Sequence, residues 1–395
     1  MDFKYFLSDL EYGEEEKRAV LSVLKDRWLT LGPRTKEFEA AFEEKVLHAP
    51  CVMVSSGTAA LHLSLYILGV QPGDEVILPS LTFAATANVV TQCEAECVFT
   101  DIEGVQIPLL SPADVEKRIT PRTRVILSVH YAGFSVDMEA LERIAREERT
   151  RRKCKGEPRP LFIVEDAAHA VGGRDHKGRS LGTIGDLGCF SLFSNKNITA
   201  GEGGIITARD TSLVEPLTLA RSHGLTHQTW ERHKEKISSP GALYDMKHPG
   251  FNYRPTEITA ALALAQLEKL PFINEKRSRL FKHAQQRLRN IPGITIPFPD
   301  PDGFGRPSFH LLPILLENSE KRARVADALA NAGIQTSQHY RPVHTMTFYR
   351  ERYPEAQKGL ENTMEYATRE LTLPLHTRLD ENDMDFILDT LEKAV

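Results

Sequence analysis

The chain has few cysteines, only two tryptophans, no large excess of charge and no long apolar run. Each shortage excludes something. The five cysteines, Cys51, Cys93, Cys97, Cys154 and Cys189, are odd in number and scattered, which argues against a disulfide framework and for reduced thiols. Cys93 and Cys97 have a loose metal-ligand spacing, but no further Cys or His pair completes a site, so no metal is expected. The longest weakly polar stretch, Val76 to Val90, contains Pro79, Ser80, Thr82, Thr86 and Asn88 and is too short and too polar to span a bilayer. A formal net charge of -5 gives no reason to expect nucleic acid or an anionic membrane as partner. No basic region precedes an apolar stretch at Met1-Asp2-Phe3-Lys4, so a secretory signal is not expected and the location read is cytoplasmic. Internal repeats, low-complexity segments and an appended DNA-binding segment are also missing.

What is present is a chain of 395 residues, 41% hydrophobic, long enough for one large and one smaller domain, each with its own core. Short apolar runs, Val76-Ile77-Leu78, Ala95 to Phe99, Val125 to Val129, Phe162-Ile163-Val164 and Gly204 to Thr207, show little period-2 alternation, as expected of a parallel sheet buried on both faces. Helical patterns such as Ala59 to Leu68 and Met138 to Glu148 fall between them, which predicts an α/β domain over residues 1–254. Residues 255–395 read as a smaller α+β domain. A long helix starts at Glu257, breaks at Pro271 and resumes over Lys276 to Leu288. A loop over Ile291 to Pro307, a strand from His310 to Leu316 and helices over Lys321 to Ala332 and Glu381 to Lys393 follow. The densely basic run Arg146 to Arg159 reads as a solvated helix end and loop, with an anion-docking patch as the alternative.

Five segments carry candidate chemistry. Ser55-Ser56-Gly57-Thr58-Ala59 sits at a strand-to-helix junction, where small residues and free N–H groups suit either a bound phosphate or an ordinary N-cap. Phe83, in Pro79-Ser80-Leu81-Thr82-Phe83, either stacks on a flat ring or fills the core. Glu165 and Asp166 close a buried strand, where acids are costly unless partnered. Asp166 therefore either faces the ligand cleft of a parallel sheet or caps the next segment. Lys196 lies among Phe190, Ser191, Asn195 and the glycines 201, 203 and 204, surroundings that make its amine a nucleophile by desolvation. Arg254 and Asn252, in Gly250-Phe251-Asn252-Tyr253-Arg254-Pro255, mark either an anion contact or a turn before a helix. A lysine and an acid presented this way match the needs of pyridoxal phosphate (PLP), which takes a Schiff-base lysine and a carboxylate on its ring nitrogen.

Taken together in this order, the segments resemble the DegT/DnrJ/EryC1/StrS family of PLP-dependent sugar aminotransferases. The resemblance rests on Ser-Gly-Thr at 56–58, Pro-Ser-x-Thr-Phe at 79–83, Glu-Asp-Ala-Ala at 165–168, Phe-Ser at 190–191 with Lys196, Gly-Glu-Gly-Gly at 201–204, Asn-Tyr-Arg at 252–254 and Pro-Val-His at 342–344. It implies a fold-type I PLP-dependent transferase. Lys196 would hold the cofactor and shuttle a proton, Asp166 would pair with the ring nitrogen, and Phe83 would cover one ring face. His169 would lie near the ring hydroxyl, where many members have Gln. Gly57, Thr58 and Ser191 would hold the phosphate, joined by Asn252 from the partner subunit of a homodimer with shared sites. The implied reaction moves an amino group from an amino acid, read as glutamate, to a keto-sugar linked to a nucleotide. Its cleft walls are read as Trp28 to Pro33, Arg221 to Gly224 and His339 to His344. His339 and His344 have a second reading as packing residues of the small domain. Three other functions compete with it: a PLP-binding regulatory or sensor protein without turnover, a transaminase of a non-nucleotide substrate, and a nicotinamide enzyme. The intact Lys196 and Asp166 pair argues against the sensor, and Ser-Ser-Gly-Thr in place of G-x-G-x-x-G argues against the nicotinamide enzyme. Lys196 also argues against the family branch that carries histidine there and dehydrates sugars.

Overall fold

The computed structural model describes residues 3–157, 159–226, 230 and 245–395. Its centre is a seven-stranded sheet built from β1 (Cys51–Val54), β2 (Glu75–Pro79), β3 (Glu96–Thr100), β6 (Thr123–Val129), β7 (Phe162–Asp166), β8 (Leu187–Ser191) and β9 (Gly204–Ala208). The order across the sheet is β1-β9-β8-β7-β6-β2-β3. A small hairpin of β4 (Ile102–Gly104) and β5 (Ile107–Leu110) stands beside it. The pairs from β3 to β8 run parallel, and β9 runs antiparallel to both β8 and β1. The apolar runs of the sequence thus form one mostly parallel sheet with a single reversed strand.

The strands lack alternation because both sheet faces are covered. Val76, Leu78, Val125 and Leu127 pack into one apolar cluster, whereas Ile77, Ile126 and Phe190 pack into the cluster on the other face. Helices Gly57–Ile67, Ala84–Gln92 and Met138–Cys154 follow β1, β2 and β6 respectively. This wiring brings the residues after β1, β2, β7 and β8 to one edge, the carboxyl ends of the parallel strands, where such sheets bind ligands.

The C-terminal part holds a two-stranded antiparallel sheet, β10 (Leu312–Leu315) with β11 (Glu370–Leu373), and helices Ser319–Asn331 and Glu381–Ala394. The expected break at Pro271 is wrong. One helix runs from Glu257 to Leu288 straight through it. Pro271 removes one helix hydrogen bond and crowds the preceding turn. Burial of Leu267, Leu270, Ile273, Leu280, Phe281 and Ala284 along that helix outweighs the local penalty.

The basic run is a helix end and loop with Arg146, Lys153 and Lys155 exposed, as read, but not all of its cations face solvent. The helix extends to Cys154, and Arg152 is buried, donating to Glu148 and to the carbonyls of Thr120 and Arg159. Arg149 donates to the Leu161 carbonyl and pairs with Asp186, while Arg159 pairs with Asp74. These arginines tie the helix to the amino-terminal edge of the sheet. Among the described residues no helix is long and apolar enough to cross a membrane.

Candidate active site

A cavity of about 380 Å³ opens at the carboxyl edge of the sheet. One end is the start of helix Gly57–Ile67. Ser56 caps it, its Oγ accepting from the Ala59 N–H at 3.0 Å, so the N-cap reading holds for Ser56. Gly57 and Thr58 follow in the first turn, where N–H groups have no intrahelical acceptor, and both line the cavity. A Cβ on Gly57 would stand 2.9 Å from the Cβ of Ser191, the last residue of β8. A Cβ on Gly204 would stand 2.2 Å from the Ser56 carbonyl. Two glycines therefore let the loop close against the strand ends, and the result is an anion cradle of backbone N–H groups and the Ser191 and Thr58 hydroxyls.

Asp166 ends β7 and is buried. Its Oδ2 accepts from the Thr86 hydroxyl at 2.9 Å, and its Oδ1 accepts from the Ala168 N–H at 3.2 Å. Burial raises its pKa, against the pull of those two donors and of the Lys196 charge. Lys196 lines the same cavity. Burial pushes its amine down to about 8; Asp166 opposes the shift and Arg277 adds to it. The site thus holds a carboxylate able to fix a protonated ring nitrogen and an amine that is partly neutral near physiological pH.

Phe83 is 62% exposed and lines the cavity, so it is not a core residue. Its ring lies 6.0 Å from that of Tyr340. His169 is buried, accepts from the Ala132 N–H through Nδ1 at 3.2 Å and shares a 2.9 Å hydrogen bond with the Tyr340 hydroxyl through Nε2. The accepting Nδ1 places the imidazole proton on Nε2. Burial holds the ring neutral, its pKa well below the usual value.

Seven of the eight expected residues, Gly57, Thr58, Phe83, Asp166, His169, Ser191 and Lys196, therefore surround one cavity. Asn252, expected from a partner subunit, is exposed and lies outside the lining of its own chain's cavity. Of the expected walls, only His339 and Tyr340 line the cavity. His344 is buried and bonded to Ser80, so it packs instead of lining the cavity, though against residues of the 1–254 part and not within the small domain. Arg221 is buried against Glu39 and the Met53 carbonyl, because it ties the helix after β9 to β1. Trp28 and Pro33 line a separate hollow with Arg34, Trp230 and Glu257.

Sequence reasoning missed the support behind the site. Glu165 is fully buried and accepts from the N–H groups of Gly182, Ile184 and Gly185 and from His130 Nε2. It pins the loop before β8 to the end of β7 and so fixes Asp166, its neighbour. Glu370, the first residue of β11, accepts from the His339 N–H at 2.8 Å and so holds the cavity wall. His130, Arg277 and Glu370 had no local signal, because each is read as a surface charge until its distant partners are known.

The residue set suits PLP. An anion cradle, a buried carboxylate, a desolvated lysine amine and an exposed aromatic ring occupy one cavity of suitable volume. The chain matches the DegT/DnrJ/EryC1/StrS aminotransferase family over residues 11–392. It is 35% identical over 390 residues to the spore coat polysaccharide biosynthesis protein SpsC of Bacillus subtilis, covering 97% of this chain and 95% of that one. Its fold superposes on Spr1654 of Streptococcus pneumoniae, described as a sugar aminotransferase, in its PLP form. The TM-score is 0.88 at 28% identity, over 100% of this chain and 98% of that one. Helicobacter pylori PseC, an aminotransferase of pseudaminic acid biosynthesis, gives 0.85 at 28% identity, over 100% and 99%. The chain belongs to the DegT/DnrJ/EryC1/StrS aminotransferase family and is a PLP-dependent aminotransferase.

Proposed function

We propose that this enzyme moves an amino group from an amino acid, glutamate, to a keto-sugar carried on a nucleotide. The observation that carries the reading is the meeting of Lys196, Asp166 and the Gly57–Thr58 turn in one cavity whose rim bears an exposed Phe83. The roles of SpsC in spore coat polysaccharide biosynthesis and of PseC in pseudaminic acid biosynthesis support a sugar acceptor. When bound, the cofactor withdraws electrons from the carbon being aminated or deaminated. Asp166 holds the proton on the ring nitrogen. Gly57, Thr58 and Ser191 hold the phosphate, and Asn252 of a second copy completes that cradle in a homodimer. Phe83 would cover one face of the ring, and His169, whose Nε2 bonds the Tyr340 hydroxyl, would lie near the ring hydroxyl. Lys196 would hold the cofactor between turnovers, and its Nζ would take the proton from the donor's α-carbon in the first half-reaction and give a proton to the acceptor's carbon in the second. The chain is read as a large domain, residues 1–254, and a smaller one, residues 255–395, with an open acceptor cleft at the dimer interface.

The test is a panel of amino-sugar nucleotides and simple amino acids, scored by conversion of the bound cofactor to its amine form. Conversion by glutamate and by at least one amino-sugar nucleotide is expected. Conversion by amino acids alone across a broad panel would make the protein an amino-acid transaminase instead.

A further inference from the structure

We propose that Asn197 is the positioning residue of Lys196, and that His310 fixes which way the Asn197 amide faces. This deepens the reading above. It rests on Lys196 as the point of cofactor attachment, and not on the donor or the sugar.

Lys196 lies in a loop, residues 192–203, that belongs to no helix or strand. The neck of the loop is closed by the Leu192 N–H on the Gly203 carbonyl at 2.8 Å and the Ala200 N–H on the Leu192 carbonyl at 2.9 Å. Inside it, the Lys196 N–H donates to the Phe193 carbonyl at 3.0 Å. These bonds tie the loop to itself. Asn197 ties it to the rest of the protein. Its side chain is buried and meets segments far along the chain. Nδ2 donates to Asn274 Oδ1, in helix Glu257–Leu288, at 2.8 Å and to the Ser308 carbonyl at 2.7 Å. Oδ1 meets His310 Nδ1 at 3.0 Å. The link from this anchor to the lysine is covalent. Asn197 is the next residue, so holding it holds the planar peptide that carries the Lys196 carbonyl.

Donors and acceptors match in one way. The Ser308 carbonyl can only accept. Asn274 donates its own Nδ2 to the Val171 carbonyl at 2.9 Å, so its Oδ1 is an acceptor. Both N–H groups of Asn197 are therefore committed, and its Oδ1 needs a donor. That places the His310 proton on Nδ1. His310 is itself held: it is buried, and its backbone N–H donates to the Ala132 carbonyl at 2.8 Å. Its ring centroid lies 4.3 Å from that of His169, whose Nδ1 takes the Ala132 N–H. Ala132 thus locates both imidazoles, and Asn197 carries the same frame to the lysine. Burial holds the His310 ring neutral, its pKa well below the usual value, so the pair acts on Lys196 by position and not by charge.

The experiment strips the full-length protein of cofactor, adds PLP and follows the lysine-bound chromophore, with thermal unfolding of each variant measured beside it. Displacing a reacting group by about 1 Å costs on the order of 100-fold in rate. Capture in Asn197→Ala and in His310→Leu should be roughly 10–100-fold slower than native. The double variant should match the slower single within about threefold, because the two residues form one anchor. In His310→Leu the pH midpoint of capture should stay near that of the native amine, about 8. Rescue separates position from bulk. An asparagine side chain sets an amide nitrogen where Nδ1 stood; glutamine, nearer to histidine in volume, sets it where Nε2 stood. His310→Asn should regain most of the native rate and His310→Gln should not, although glutamine fills the space better. This contrast needs neither apolar variant to fold. A glutamine variant as fast as the asparagine one, or faster, overturns the proposal. So does native-like capture in Asn197→Ala. A midpoint in His310→Leu that moves by more than about one pH unit overturns it too, because His310 would then act through charge. Native-rate capture by Lys196→Ala defeats the attachment reading first and takes the anchor with it.

Discussion

Replacing Glu370 by Gln should make the protein more stable at high pH. Glu370 is fully buried at the start of β11. Its Oε2 accepts from the His339 N–H at 2.8 Å, and its Oε1 meets the Thr372 hydroxyl, which in turn bonds His339 Nδ1 at 2.8 Å. Burial dominates and pushes the carboxyl up to about 8; the Thr372 and His339 hydrogen bonds oppose it without winning. In the unfolded chain a glutamate titrates near 4.3. Between those values the unfolded chain has lost a proton that the folded chain keeps. Unfolding stability therefore falls with rising pH across the window, by about 1.4 kcal/mol per pH unit, and levels off above about pH 8. Glutamine keeps both hydrogen-bond positions, with its N–H₂ on Thr372 and its oxygen on His339, but has no proton to lose. Stability is measured by reversible urea unfolding of both proteins at pH 5 and pH 8. Every other titrating group cancels in the comparison. The variant's advantage should grow by about 4 kcal/mol between the two pH values. A difference that stays constant within about 1 kcal/mol would refute the idea that Glu370 is neutral in the folded protein.

Asp166→Asn keeps an acceptor for the Thr86 hydroxyl but cannot hold a charged ring nitrogen. It should fold normally and lose at least about 3 kcal/mol of barrier reduction, roughly 100-fold in kcat, checked by steady-state transamination alongside circular dichroism. In cofactor-free protein the Lys196 amine should be half neutral near pH 8. The rate of PLP capture should then rise with pH and level off just above 8, where an ordinary lysine would still be climbing toward 10.5. Mixing Lys196→Ala with Asn252→Ala under subunit exchange should restore partial activity, because one hybrid site would have both residues intact; no recovery would count against a shared site.

The chemistry of the site was legible because it lies in short contiguous segments at strand ends. Gly57, Asp166 and Ser191 each sit where a buried apolar run stops, and the sheet brings those ends together. The same logic failed wherever a side chain's surroundings come from far along the chain. Arg221 and His344 look like cleft walls in sequence, yet Glu39 and Ser80, on distant segments, draw them inward. Arg152 reads as one cation in a solvated run until Glu148 and two carbonyls bury it. Pro271 reads as a helix end, because its local cost is visible in the sequence and the packing of Leu267, Leu270 and Ile273 is not. Phe83 shows the converse: its hydrophobicity suggests core, and only the turn before helix Ala84–Gln92 reveals that it faces the cavity.

The central claim is that Lys196 is the cofactor's point of attachment. The direct measurement is to load the protein with PLP, reduce the linkage with borohydride, digest, and locate the modified lysine by mass spectrometry. The account predicts the label on the peptide containing Asn195-Lys196-Asn197, and its disappearance in Lys196→Ala. Stoichiometric label on any other lysine, with Lys196 unmodified, would contradict it.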